Sequence, residues 1–252
     1  MKIHHPLSAW RTARAGPEFT GRRVGFVPTM GALHAGHVTL LERARAENDR
    51  VVLSIFVNPT QFDDAGDLAH YPRTLEADLA LAGGLVDDVL VPTAEELYPD
   101  HYHYRVTETS LSRELEGTHR PGHFDGVLTV VLKLLNLVQP HRAYFGEKDW
   151  QQLQLIRGMA GALFLPCEII PCPTLRDTDG LALSSRNRRL SAQGRVRAAR
   201  FPQILGDATN SAAATSALTG AGFDVDYVED RDGVRLGAAR MEGVRLIDNV
   251  RL

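Results

Sequence analysis

Short apolar runs alternate with helical stretches through the first two-thirds of the chain, and this alternation limits the architectures open to it. Val24-Gly25-Phe26-Val27 reads as a short buried strand. The run 51–57 is continuously apolar and stops at Asn58-Pro59, as expected of a parallel strand covered on both faces. Segments 88–92, 143–145 and 167–170 have the same character. Between them, residues 38–46 carry apolar side chains at helical spacing. Residues 72–81 start a helix with Pro72 in its first turn and end it at Gly83-Gly84. Residues 124–138 are apolar nearly all round and predict a buried helix, and 149–160 predict another. Such alternation gives an α/β fold with an open parallel sheet and helices on both faces. Beyond residue 173 the pattern changes to a polar loop (174–187), a basic helix (188–205), a second helix (212–218) and strand-like pieces at 225–228 and 244–248. We therefore expect a Rossmann-like domain over 1–173 and a small C-terminal α+β domain over 174–252.

In open parallel sheets ligands sit beyond the carboxyl ends of the strands, and four motifs fall there. Pro28-Thr29-Met30-Gly31-Ala32-Leu33-His34-Ala35-Gly36-His37 joins the first predicted strand to a helix. A helix start gathers unpaired N–H groups and the positive dipole end, which suits a phosphate. Gly31 and Gly36 permit close backbone approach or positive φ, and His34 and His37 add ring donors. Asn58-Pro59-Thr60-Gln61 follows the second strand. It reads either as a plain Asn-Pro turn or as a place where the Gln61 amide meets a polar substrate. Gly146-Glu147-Lys148-Asp149-Trp150-Gln151-Gln152 follows the 143–145 strand. Lys148 can reach a phosphate, Asp149 reads equally as a helix cap, and Gln152 lies one turn further along the same edge. Finally, Leu183-Ser184-Ser185-Arg186 offers two hydroxyls and a guanidinium for phosphate oxygens; as a solvated loop it would need no ligand.

Composition narrows the functional classes. The chain has 252 residues, 44% hydrophobic and 23% charged, with a net charge of −3, so no global basic field points to nucleic acid. The longest apolar stretch is interrupted by Lys133 and Asn136 and is too short to span a bilayer. Two cysteines, Cys167 and Cys172, and no apolar N-terminal leader point to a reducing, cytoplasmic setting. Only three of the 28 Lys and Arg residues are lysines, Lys2, Lys133 and Lys148. A retained Lys among so many Arg suggests a place that wants a compact ammonium. The P-loop, G-x-G-x-x-G and G-x-S-x-G signatures are missing.

The 28–37 block resembles the HIGH-type signature of the nucleotidylyltransferase superfamily. Five further blocks follow in order: Phe56-Val57-Asn58-Pro59-Thr60-Gln61-Phe62, Tyr71-Pro72-Arg73-Thr74, Arg120-Pro121-Gly122-His123-Phe124-Asp125-Gly126-Val127, Phe145-Gly146-Glu147-Lys148-Asp149 with Gln151-Gln152, and Asp179-Gly180-Leu181-Ala182 to Asn187. Together they resemble the pantoate–β-alanine ligase family, and Arg245-Leu246-Ile247-Asp248-Asn249 resembles its C-terminal end. The resemblance implies ATP-dependent joining of pantoate to β-alanine through pantoyl adenylate, with release of pyrophosphate and AMP. It also implies that the 174–252 domain serves as a lid, Mg²⁺ accompanying ATP with no named protein ligand, a cytoplasmic homodimer, and neither nucleic acid nor membrane as partner. By position it makes His37 the proton donor, with His34, Lys148 and Arg186 the other catalytic residues. Met30, Gly31, Ala32, Leu33, His34, Ala35, Gly36 and His37 line ATP, as do Gly146, Glu147, Lys148, Asp149, Leu175, Leu183, Ser184, Ser185 and Arg186. Gln61, Gln152 and Asn58 bind substrate, with Gln61 near both pantoate and β-alanine.

Two other readings stand beside this one: a nucleotidylyltransferase for a phosphorylated acceptor, and a non-catalytic nucleotide-binding module. The Gln61 and Gln152 amides favour the ligase, because a phosphorylated acceptor calls for more Arg or Lys.

Overall fold

The computed structural model describes residues 1–252, the side chain of Ala65 excepted. By its contacts the chain falls into two compact units. The first comprises Met1–Leu33, His37–Gly146 and Gln151–Cys172; the second comprises His34–Gly36, Glu147–Trp150 and Pro173–Leu252.

The first unit is built on one parallel sheet. Its strands are β1 (Lys2–His4), β2 (Val24–Thr29), β3 (Arg50–Ile55), β4 (Asp88–Leu90), β5 (Arg142–Gly146) and β6 (Glu168–Cys172), in the order β1-β4-β3-β2-β5-β6. Side chains alternate between the two faces of a strand, and the core divides accordingly. Val24, Phe26, Val52, Leu90, Ala143 and Phe145 pack with helices Leu7–Arg14, His123–Val138 and Trp150–Ala162. Val27, Val51, Leu53, Val89 and Tyr144 pack with helices Ala35–Glu47 and Leu75–Ala82. Both faces are covered, which is why these strands read as continuous apolar runs. Helix His123–Val138 buries 11 of its 16 residues, matching its nearly all-round apolar sequence.

Strand order reverses at β2, which pairs with β3 on one side and β5 on the other. That is the topological switch point where such sheets take ligands. The edge strand β1, which its three residues did not announce, is tied in through a buried carboxylate: Asp88 accepts from Arg50 Nε at 2.7 Å and lies 2.9 Å from His4 Nε2.

The second unit has an antiparallel sheet of β7 (Asp224–Arg231), β8 (Val234–Met241) and β9 (Val244–Arg251). Asp232-Gly233 and Glu242-Gly243 join the strands with φ of 51° and 73°, and 53° and 76°, as two-residue hairpins of this twist require. Helices Arg200–Asp207 and Ser211–Gly220 cover one face through Phe201, Leu205, Ala214 and Leu218. The single basic helix expected over 188–205 is instead a turn, Ser185–Arg189, and two helices, Ala192–Ala198 and Arg200–Asp207. Pro202 explains the break, since it has no N–H to donate back across the joint at Ala199.

Candidate active site

The turn that leaves β2 is shaped by a buried carboxylate. Asp78, 2% exposed, accepts the N–H of Ala32 at 3.0 Å and of Leu33 at 2.8 Å, and the Thr74 hydroxyl at 3.2 Å. These bonds hold Gly31 at φ 81° and Ala32 at φ 51°, left-handed values that cost a non-glycine residue energy. A Cβ on Gly31 would lie 2.9 Å from Asp78 Oδ2, so only glycine fits. Thr29 adds a further tie: its Oγ1 accepts the Gly31 N–H at 3.2 Å and donates to the Ser54 carbonyl at 2.8 Å. The sequence suggested a corner rich in unpaired N–H groups. In the structure Gly31, Ala32 and Leu33 spend theirs on Thr29 and Asp78, leaving side chains to carry more of any phosphate recognition.

Beside this turn, in the same unit, stands a wall of neutral amides. Asn58 is 1% exposed; its Nδ2 donates to Gln61 Oε1 at 3.1 Å and to the Gly126 carbonyl at 3.2 Å. Its Oδ1 accepts from the Tyr98 hydroxyl at 2.7 Å and the Thr60 hydroxyl at 3.0 Å. Burial raises the Tyr98 pKa to about 12, so it remains a donor. Asn58 is therefore engaged at both ends and orients Gln61 instead of offering its own amide. Gln61 Nε2 in turn lies 3.1 Å from Met30 Sδ, bringing an expected acid-binding residue to an expected ATP-lining one. Gln152 is half-buried, near the start of helix Trp150–Ala162. Its neighbour Gln151 is 4% exposed and serves structure: it accepts from Glu116 N and donates to the carbonyls of Leu111 and Glu114.

The backbone of Gln61 is held as firmly as its amide. His123 Nδ1 lies 2.8 Å from the Gln61 carbonyl and Nε2 lies 3.1 Å from Arg120 Nη1. Arginine only donates, so Nε2 accepts and Nδ1–H donates. Burial first, and then the Arg120 charge, lower the His123 pKa to about 4, which keeps that neutral tautomer. Arg120 also donates to the Gln61 carbonyl and to Asp63. A Cβ on Gly126 would come 2.3 Å from the Thr60 carbonyl, so this helix approaches the 60–61 backbone only through glycine.

His37 and Gly146 stay in the first unit, and the second gathers the remaining expected residues. The Gly36 N–H donates to His34 Nδ1 at 3.2 Å, so the neutral ring carries its proton on Nε2. Burial, then the charges of Lys148 and Arg188, lower the His34 pKa to about 4, with Asp149 opposing. Gly36 needs no positive φ here; its lack of a Cβ makes room for the His34 ring, to which a Cβ would come within 2.9 Å. The same Cβ would lie 3.9 Å from Leu183 Cβ, which places Leu183 against this bend. Leu183 N donates to the Leu175 carbonyl at 3.0 Å, joining two expected ATP-lining residues across a small hairpin with Arg176 bridged to Ala182. Ser184 caps the following turn by accepting the Arg186 N–H at 3.2 Å, and Ser185 and Arg186 are half-buried within it. Lys148 lies in the one-turn segment Glu147–Asp149.

Comparison with known proteins decides what these residues belong to. The family model for pantoate-beta-alanine ligase matches residues 2–251. The chain belongs to the pantoate–β-alanine ligase family. It is 52% identical to a pantothenate synthetase of Bdellovibrio bacteriovorus, over 98% of this chain and 96% of that one. A pantothenate synthetase of Coxiella burnetii is 50% identical, over 99% and 96%. Among solved structures, the Francisella tularensis pantoate-beta-alanine ligase, complexed with beta-gamma ATP and beta-alanine, superposes with TM-score 0.94 at 39% identity. It is matched over 100% of this chain and 97% of that one. The Thermus thermophilus pantothenate synthetase superposes with TM-score 0.90 at 42% identity, over 100% and 99%.

Seen as a ligase of this family, the chain has polar residues around its expected site that sequence reading missed. Asp78, Tyr98, Arg120, His123 and Asn249 all hold an expected site residue or its backbone. Asp78 had a signal: with Glu76 it is one of two acids in an otherwise apolar helix, and it is the buried one. Arg120 and His123 lie in a block whose resemblance was noted without a role.

Proposed function

We propose how the residues of this chain share the work of ATP-dependent ligation of pantoate to β-alanine, the activity of its family. In the first step a pantoate carboxylate oxygen attacks the α-phosphorus of ATP; the new P–O bond forms as the bond to pyrophosphate breaks. The carboxylate is already ionised at neutral pH and needs no base, so the residues' task is to position it and stabilise phosphate charge. Gln61 and Gln152 hold pantoate by its hydroxyl and carboxylate groups, with Gln61 fixed by Asn58, His123 and Arg120. Met30, Gly31, Ala32, Leu33, Ala35 and Gly36 form the nucleotide turn. His34 donates from Nε2 to a phosphate oxygen as a neutral imidazole, and His37 is the proton donor to the departing phosphate. Lys148, Ser184, Ser185 and Arg186 bind phosphate oxygens, while Gly146, Glu147, Asp149, Leu175 and Leu183 line the nucleotide.

In the second step the β-alanine nitrogen, having shed a proton, attacks the acyl carbon; the C–N bond forms and AMP leaves with the C–O electron pair. When bound with ATP, Mg²⁺ would supply charge neutralisation on the leaving pyrophosphate. The cation would be carried on phosphate oxygens and water.

The observation that carries this reading is the Gln61 amide, fixed at 3.1 Å from Met30: a neutral hydroxy-acid recognition group against the first residue of the nucleotide turn. Pyrophosphate release tests it. Gln61→Ala is expected to raise the KM for pantoate about tenfold or more, the scale of one lost bond to a charged group, with the KM for ATP little changed. An unchanged pantoate KM overturns the assignment. Among the described residues no helix is long and apolar enough to cross a membrane; the family resemblance supports a cytoplasmic homodimer. Sedimentation velocity at micromolar concentration, read as one monomer or two, tests that assembly.

A further inference from the structure

The C-terminal strand carries a group the reaction has not yet used. Asn249, near the end of β9, donates through Nδ2 to two successive carbonyls, Glu147 at 2.9 Å and Lys148 at 3.0 Å. One carboxamide thus spans the backbone of the turn that presents Lys148. Asn249 is itself locked. Its carbonyl accepts from Arg176 Nη2 at 3.0 Å, and its N–H donates to Asp248 Oδ1 at 2.8 Å. Asp248, with a side chain only 1% exposed, takes Arg176 in a two-bond fork of 2.7 and 3.0 Å. Arg176 also donates to the Gly180 carbonyl at 3.0 Å, at the tip of the hairpin that carries Leu175 and Leu183. A planar guanidinium held by a buried carboxylate is a rigid anchor, and the amide plane of Asn249 follows from it.

Glu147 and Lys148 belong by contact to the same unit as Asn249. Lysine is a long, flexible side chain whose ammonium reaches a fixed point only if its backbone is fixed. We propose that Asn249 is the positioning residue for Lys148. Its carboxamide clamps the 147–148 carbonyls, the Arg176–Asp248 fork clamps Asn249, and the ammonium of Lys148 is thereby aimed at a phosphate oxygen of ATP. The inference rests on Lys148 binding ATP phosphates, as assigned above. It gives the 245–249 motif a task in catalysis without contact to substrate.

The scarcity of lysine provides the test. With only Lys2, Lys133 and Lys148 in the chain, acylation by an amine-reactive reagent followed by peptide mass spectrometry reads each ammonium separately. In the native protein MgATP should protect Lys148 and leave Lys2 labelling unchanged; no protection of Lys148 overturns its phosphate role and with it the basis of the inference. Asn249→Asp keeps the side chain's shape but turns an oxygen on the two carbonyls. It should weaken protection at a given ATP concentration and lower kcat/KM for ATP in pyrophosphate release by about tenfold to a hundredfold, with the KM for pantoate unchanged. Asn249→Ser should do the same. Val250→Ala, which trims the same strand without touching the turn, should leave both readouts at native values. Native-like protection in both Asn249 variants, or an equal loss in Val250→Ala, overturns the positioning role.

Discussion

Around Gln61 and the 30–33 turn the polar groups are buried or half-buried, and most are neutral amides, hydroxyls or main chain. Around Lys148 and the 175–186 hairpin they are mostly charged, and many are half open to water. Asn58 and Asp78 are 1% and 2% exposed; the Arg195 side chain is 25% exposed and its partners Asp177 and Asp179 are 46% and 41%. The difference follows from the two sheets. The parallel sheet is covered on both faces, so groups leaving its strand ends are desolvated and must be satisfied one by one. The three-stranded sheet buries a few of its own charges, Arg235 and Asp248 among them, but the ions at the 175–186 hairpin tip stay hydrated and pair loosely. In the function proposed above, the first arrangement is the mould for a small acid and the second the source of positive charge for phosphates.

The sharpest way to break this contrast is Asp78→Ala. It leaves the N–H groups of Ala32 and Leu33 buried without acceptors, each costing about 1–3 kcal/mol, and frees a left-handed turn to relax. We expect a loss of about 3 kcal/mol in urea unfolding, a large share of the stability of an ordinary domain, together with loss of pantoate-dependent pyrophosphate release. Asp78→Asn keeps one acceptor and should recover part of both. A change in Asp78→Ala too small to resolve would mean that the turn holds its shape unaided.

Next in size is the pH response of the buried amide wall. The His123 pKa lies near 4 in the folded protein against an ordinary 6.5. As pH falls below 6.5 the unfolded chain takes up a proton that the native ring refuses, so stability is complete above 6.5 and declines toward pH 4. The shift corresponds to at most about 3 kcal/mol. His34 acts in the same direction, with a smaller effect because its ring is only half-buried. Carboxylates titrate lower in the unfolded chain, so the interval from 6.5 to about 5 isolates the histidines. Unfolding free energies across that interval should fall in the parent and fall less in His123→Gln; parallel curves would remove His123 from the account.

How much of this was readable beforehand depended on whether a feature is local in sequence. The parallel strands were legible because burial on both faces writes an unbroken apolar run, and the 28–37 corner because glycine and histidine requirements fall within ten residues. β8 was not, for two reasons. Arg235, 1% exposed, interrupts its apolar pattern, being paired with Asp230 and donating to the Leu205 carbonyl. Gly237 breaks the run again, because a Cβ there would lie 2.9 Å from Leu205 Cδ2. The hairpin signals at Asp232-Gly233 and Glu242-Gly243 were present and were the better guide. Asp78 on Ala32, His123 on Gln61 and Asn249 on Lys148 are separated by 46, 62 and 101 residues. No local pattern encodes such pairs, so the residues that form the corner were visible and those that hold it were not.

The smallest effect sharpens the comparison most directly, because it asks whether the second unit's charges behave as surface charges. Arg195 pairs with Asp177 at 2.7 Å and with Asp179, bracing the hairpin tip from helix Ala192–Ala198. These groups are hydrated, so the pairing contributes little net energy and is open to screening. Arg195→Gln should cost about 0.5–1 kcal/mol at low salt. The cost should shrink toward zero near about 1 M salt, where the screening length is roughly 3 Å. The loss in Asp78→Ala, which comes from desolvated main-chain donors, should be the same at both salt concentrations. If the Arg195→Gln cost persists in high salt, its guanidinium works through geometry, as a brace on the hairpin, and the two units would be held by more similar means than their exposure suggests.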